Sequence, residues 1–140
     1  MKRKIDYIVI HCTATPTNTT VESIKNHWKN VLKWKSVGYH CLIEQSGKIH
    51  YLAPFDDITN GVKGYNSNSI HISYIGGYLY DNRSEAQKGA ILLCIKKALE
   101  YAENPKVIIQ GHRDFPSVAK ACPQFDAKVE YKIINKCEKT

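Results

Sequence analysis

The chain has 140 residues, enough for one domain with a single core and little else. Apolar residues make up 43% and charged residues 24%, the proportions of an ordinary soluble globular protein, and no run approaches the roughly 18 apolar residues of a membrane span. The formal charge of +7 favours polyanions, nucleic acid and bacterial wall polymers alike, and does not choose between them.

The basic start, Met1-Lys2-Arg3-Lys4, meets Asp6 almost at once, and residues 7–10 are too short for the apolar core of a signal peptide. A cytoplasmic protein is expected, or one released by a route that needs no signal. Residues 6–11 are β-branched and aromatic without polar alternation, which predicts a buried strand ending at His11. Thr19 and Glu22 have capping-box spacing, and Val21, Ile24, Trp28, Val31 and Leu32 follow at helical period, predicting a helix of three to four turns. Lys25, Lys29 and Lys33 form its solvated stripe. Residues 39–45 and 48–52 read as strands joined at Ser46-Gly47 into a hairpin. Residues 56–69, rich in Asn, Gly, Asp and Ser, read as an ordered functional loop. A strand is predicted over 70–75, a helix over 84–103 stopped by Asn104-Pro105, and a short buried strand over 107–109. The tail from Asp126 reads as helical. Strands mixed with helices and a hairpin, with no repeat and no linker, predict one α/β domain over residues 1–140 with a mixed sheet.

The five cysteines, Cys12, Cys41, Cys94, Cys122 and Cys137, are odd in number and irregular in spacing, which favours reduced thiols over a disulfide framework. Two histidines hold comparable places: His11 and His112 each follow an apolar strand. If those strands are neighbours, both imidazoles project from one end of the sheet, where α/β proteins place sites. Cys122 comes ten residues after His112 and directly precedes Pro123. Two imidazoles and a thiolate make a good zinc set with a fourth position open for water. Residue types alone also permit core histidines, a small buried cysteine, or a Cys-His nucleophile pair. Asp114 has two readings, orienting a ligand or capping a turn.

The local wording is more specific. "DYIVIHCTAT", "VGYHCLIEQSGKIHYL", "KGYNSNSI", "GHRDF" and "AKACPQFD", in that order from Asp6 to Asp126, resemble the zinc amidases of the phage-lysozyme and peptidoglycan-recognition-protein family. The resemblance implies a mixed sheet flanked by helices, with a zinc site in a groove at the sheet edge. It makes His11, His112 and Cys122 the ligands of one zinc ion, and Tyr39 and Lys120 catalytic. On that likeness Lys120 would donate to the oxyanion of the attacked amide, and Tyr39 would orient water or donate a hydrogen bond.

The chain departs from the family pattern at several points. Many relatives have a histidine in the loop before "KGYN", where this chain has Asn60-Gly61-Val62, and glycine where it has His71. Ser73 stands at an often acidic or small position, and Lys29 replaces a histidine that follows the tryptophan. None of these removes a ligand; what Gly61 and His71 leave open is the substrate groove, for which Tyr65, Asn66 and Asn68 are candidates, with a structural turn role as the other reading of the two asparagines. The implied activity is hydrolysis of the amide between N-acetylmuramic acid and the L-alanine of the stem peptide, in an endolysin or a wall-recycling enzyme. The other reading is a non-catalytic muropeptide-binding module. A monomer is expected, with peptidoglycan as partner, no nucleic acid and no membrane insertion.

Overall fold

The computed structural model describes residues 2–116, 118, 121–132 and 134. The apolar runs pair into one sheet of β1 (Tyr7–Cys12), β2 (Cys41–Ile43), β3 (Ile49–Tyr51), β4 (Ser69–Tyr74) and β5 (Ile108–Gly111), in the order β3-β2-β4-β1-β5. β1 lies between β4 and β5 and is parallel to both; β2 is parallel to β4, and the β2–β3 hairpin is antiparallel. The sheet is mixed, as the sequence predicts.

Strand side chains alternate between the two faces. Ile8, Ile10 and Cys12 of β1, Ile70, Ile72 and Tyr74 of β4, and Ile109 of β5 pack with Ile91, Cys94, Ile95 and Ala98 of α2 (Glu85–Ala102). Each large side chain buried there contributes roughly 1.5–3 kcal/mol. The residues between them, Val9 and His11 in β1 and Ser69, His71 and Ser73 in β4, occupy the other face and are equally buried. That face is covered by α1 (Val21–Asn26), whose Val21 and Ile24 pack with Trp28, Leu42 and Ile75, and by Val62 and Phe115 against Val9. One helix layer therefore supplies the core, and the opposite face is left to α1 and loops.

The α2 signals act as read: Ser84 and Gln87 form the capping box, and Glu103 leaves the helix in left-handed conformation before Asn104-Pro105. Gln87 is buried, and its amide also donates to Ile43 O (3.1 Å) and Ile75 O (3.0 Å), tying α2 to the ends of β2 and β4. The start of α1 differs from the prediction. Thr20, not Thr19, is the cap and accepts from Ser23 N–H at 3.1 Å, because the Thr19 hydroxyl is spent on Pro16 O at 2.7 Å. The predicted single helix is also shorter in α form, widening at His27–Val31 into a π-type turn. The expected helical tail begins as α3 (Ala127–Glu130), capped by Asp126, and its continuation beyond residue 134 lies outside the described residues. Cys12, Cys41, Cys94 and Cys122 form no disulfide with one another, and Cys137 is outside the described residues.

Arg3 anchors the long loop. Its guanidinium donates to Phe55 O (2.7 and 3.0 Å), Asn66 O (3.2 Å), Ser67 O (3.0 Å) and Ser69 O (3.1 Å), so one cation satisfies carbonyls that would otherwise be stranded. Beside it, His40 is fully buried; its Nε2 donates to Asp57 O at 2.8 Å and its Nδ1 accepts from His71 N–H at 3.0 Å. Burial lowers the His40 pKa to about 4, with the Arg3 charge acting the same way and the Asp57 carbonyl against it. The folded protein therefore refuses a proton that the unfolded chain accepts below about pH 6.5, so stability is lost as pH falls from there toward 4. The loss from this group approaches about 3 kcal/mol. Thermal melts at pH 7 and pH 4.5 should show a smaller loss for His40→Gln than for wild type, and equal losses would refute the assignment.

Candidate metal centre

β1 and β5 run in parallel register with Ile10 opposite Gly111. The next residues, His11 and His112, come level at one end of the sheet, with ring centres 4.9 Å apart. Cys122 reaches the same point from the following loop, its Sγ 4.0 Å from His11 Nδ1. One donor atom from each of the three residues lies within 4.8 Å of the others, and among the described residues no other group of three such side chains converges this way. Bond lengths of about 2.0–2.1 Å to nitrogen and 2.3 Å to sulfur put tetrahedral zinc ligands about 3.3–3.6 Å apart, so small adjustments suffice. The residues fit zinc in type and spacing.

Several contacts hold the Cys122 loop in place. Tyr74, at the buried end of β4, donates its hydroxyl to Pro123 O at 2.7 Å. Arg113 N–H donates to Cys122 O at 2.9 Å, joining the segments that carry His112 and Cys122. Pro123 packs so closely on Gly111 that a Cβ there would stand 2.6 Å from its Cδ, which explains the glycine before His112. Cys12 contributes through its backbone N–H, which donates to Cys122 Sγ at 3.1 Å, the kind of donor a thiolate accepts. Asp114 accepts from Gly111 N–H at 2.8 Å, which is the turn-capping role of its two readings.

Behind the cluster lies a chain of side chains. His11 Nε2 meets His71 Nδ1 at 2.8 Å, and His71 Nε2 meets Asn66 Oδ1 at 2.9 Å. Asn66 Oδ1 also accepts from Gly61 N–H (3.0 Å) and Val62 N–H (2.8 Å). Burial, with repulsion from His40, His112 and Arg3, holds His71 neutral, its pKa well below the usual value. His71, whose effect on the groove the sequence left open, is fully buried and lines neither part of the groove; it touches a candidate ligand instead. Period two carried a signal for this, because Ser69, His71 and Ser73 alternate with Ile70, Ile72 and Tyr74 and so share the face of His11.

Tyr39 stands over the cluster, its ring centre 5.0 Å from that of His11. Burial, and next the charge of Cys122, push its phenol well above the ordinary value, so it keeps its proton. Lys120 lies outside the described residues. The cluster sits in a cleft of about 180 Å³ that also includes Trp28, Trp34, Asn60 and Gly61. Through Trp34, Asn60, Gly61 and His112 it shares walls with a larger depression of about 660 Å³, which reaches Lys63 and Asn66. Trp34 and Asn60 carried no motif and were missed by sequence reasoning. Asn66 does line the groove, but its carboxamide oxygen is spent on the loop. Tyr65 packs on Tyr7 and Phe115, Asn68 bonds Asp6, and Lys29 is exposed and does not line the cleft, so these three are structural or surface residues.

The family model described as N-acetylmuramoyl-L-alanine amidase matches residues 1–125. In sequence the chain is similar to the endolysin of Enterobacteria phage K11, 31% identical over 130 residues, covering 89% of this chain and 84% of that protein. In structure it is similar to the Ph2119 endolysin of the Thermus scotoductus MAT2119 bacteriophage Ph2119, with a TM-score of 0.74 and 26% identity over 96% of this chain and 87% of that one. Bumblebee PGRP-SA shares the fold with a TM-score of 0.78 at 20% identity, over 94% of this chain and 87% of that one. With a match that runs from the first strand past Cys122 and a fold held in common, the chain belongs to the N-acetylmuramoyl-L-alanine amidase family.

Proposed function

We propose that this amidase hydrolyses the bond between N-acetylmuramic acid and the L-alanine of the peptidoglycan stem peptide, using one zinc ion held by His11, His112 and Cys122. The observation that carries the reading is the convergence of those three donors at the floor of an open groove. When bound, zinc supplies Lewis acidity, polarising a carbonyl and making water acidic near pH 7. The chain's own residues do the remaining work. His11, His112 and Cys122 would hold the metal, and three protein donors are the set with which catalytic zinc sites keep a position for water. Tyr39 retains its proton and can donate a hydrogen bond to the attacking water or the developing oxyanion. Lys120 is assigned the second oxyanion contact on the family resemblance alone. Trp34 and Asn60 offer an apolar face and an amide where a glycan or peptide would lie. The charge of +7 favours encounter with a polyanionic wall, and the likeness to phage endolysins supports a lytic role for the reaction.

Mass spectrometry of purified peptidoglycan incubated with the protein should show free stem peptides with a new L-alanine amino terminus, and none when a zinc chelator is added. No release from several wall types would favour a muropeptide-binding module. Cys122→Ser should lower both zinc content and turnover, and Cys137→Ser neither; a Cys122→Ser protein with wild-type zinc and turnover would sink the ligand assignment. Tyr39→Phe should keep its zinc and lose about a hundredfold in kcat, the usual cost of one such donor. An unchanged kcat would remove Tyr39 from the mechanism.

A further inference from the structure

We propose that His71 is a positioning residue that commits His11 to bind the metal through Nδ1. The inference rests on the metal reading above and follows from hydrogen-bond accounting. Asn66 Oδ1 receives the N–H groups of Gly61 (3.0 Å) and Val62 (2.8 Å), which identifies that atom as the amide oxygen, an acceptor only. His71 Nε2 is 2.9 Å from the same oxygen, so Nε2 carries the His71 proton and Nδ1 carries a lone pair. That lone pair faces His11 Nε2 at 2.8 Å, so His11 in turn holds its proton on Nε2. With the proton on Nε2, the lone pair of His11 lies on Nδ1, which is the nitrogen that faces Cys122 Sγ.

The surroundings leave the His71 ring little choice of position. Its backbone N–H is bonded to His40 Nδ1 at 3.0 Å, and the backbone of Asn66 is held by Arg3. A Cβ on Gly61 would stand 2.3 Å from His71 Nδ1, so the ring occupies the space a side chain at position 61 would need. Gly61 and His71 are therefore one feature: the loop gives up a side chain, and the strand supplies an imidazole behind the ligand. His11 and His71 are buried, so water does not compete for the bond between them. Partners of this kind fix ring orientation and tautomer, and losing one costs about 10–100-fold in metal affinity.

The test compares wild type with His71→Leu, which keeps bulk without an acceptor, and His71→Asn, which puts an amide oxygen near the place of Nδ1. Zinc affinity is measured by chelator competition, folding by thermal melts of the metal-free proteins, and the His11 tautomer by imidazole ¹⁵N spectra. Wild-type His11 should be a single Nε2–H tautomer without metal. A mixed tautomer and 10–100-fold weaker zinc binding are expected for His71→Leu, with His71→Asn close to wild type. A folded His71→Leu that binds zinc like wild type overturns the proposal, and so does a wild-type His11 protonated on Nδ1, whatever the variants do. A wild-type protein that binds no zinc would refute the metal centre itself.

Discussion

The centre depends on the parallel register of β1 between β4 and β5. Parallel neighbours end together, so the residues after Ile10 and Gly111 emerge side by side, and the last polar positions of β4 lie beside them. Side chains in a strand have period two, so a slip of one residue would turn His11 toward α2 and bring an apolar neighbour to the groove. The apolar face prevents that slip: Ile8, Ile10, Ile70 and Ile72 are fully buried against α2, and a shift would expose all of them to the wrong side. The hydrophobic packing of one face thus sets the geometry of the donors on the other.

Burying imidazoles inside a sheet is costly unless their nitrogens are paired. The structure solves this locally. His40 is fixed between Asp57 O and the backbone N–H of His71, and His71 between Asn66 and His11. The ends of this network are Arg3 and the loop that lines the groove, so that loop, His11 and the segment of Arg3 are mechanically joined. Residues far from Cys122 in sequence therefore touch the candidate donor cluster from behind.

The third candidate donor comes from a loop and needs more support than His11, which is in β1, or His112, which directly follows β5. Tyr74 holds Pro123 from beneath, Arg113 grips the Cys122 carbonyl, and Gly111 makes room for the proline ring. These contacts bring together residues from β4, β5 and the loop itself. The cysteine is thereby presented at a defined height beside His11, although it belongs to no regular element.

Much of this was legible in the sequence. The β-branched runs, the Ser84–Gln87 capping box and the Asn104-Pro105 stop fixed the elements, because those signals act within a few residues. His11, His112 and Cys122 could be named as candidate donors from residue type and local wording, and the fold brings the three together. Which faces they share could not be read, since pairing β1 with β5 joins residues about a hundred positions apart and is decided by how the apolar faces close over α2. The same holds for His71, which by sequence was a departure from the family pattern and in the fold stands behind His11. Arg3 looked like one more basic residue at a terminus, and its role as the anchor of the long loop exists only once that loop's carbonyls are gathered around it. Local chemistry determined the elements and the donor types; the tertiary structure decided their partners, because burial and hydrogen-bond satisfaction are set by neighbours that the chain order does not name.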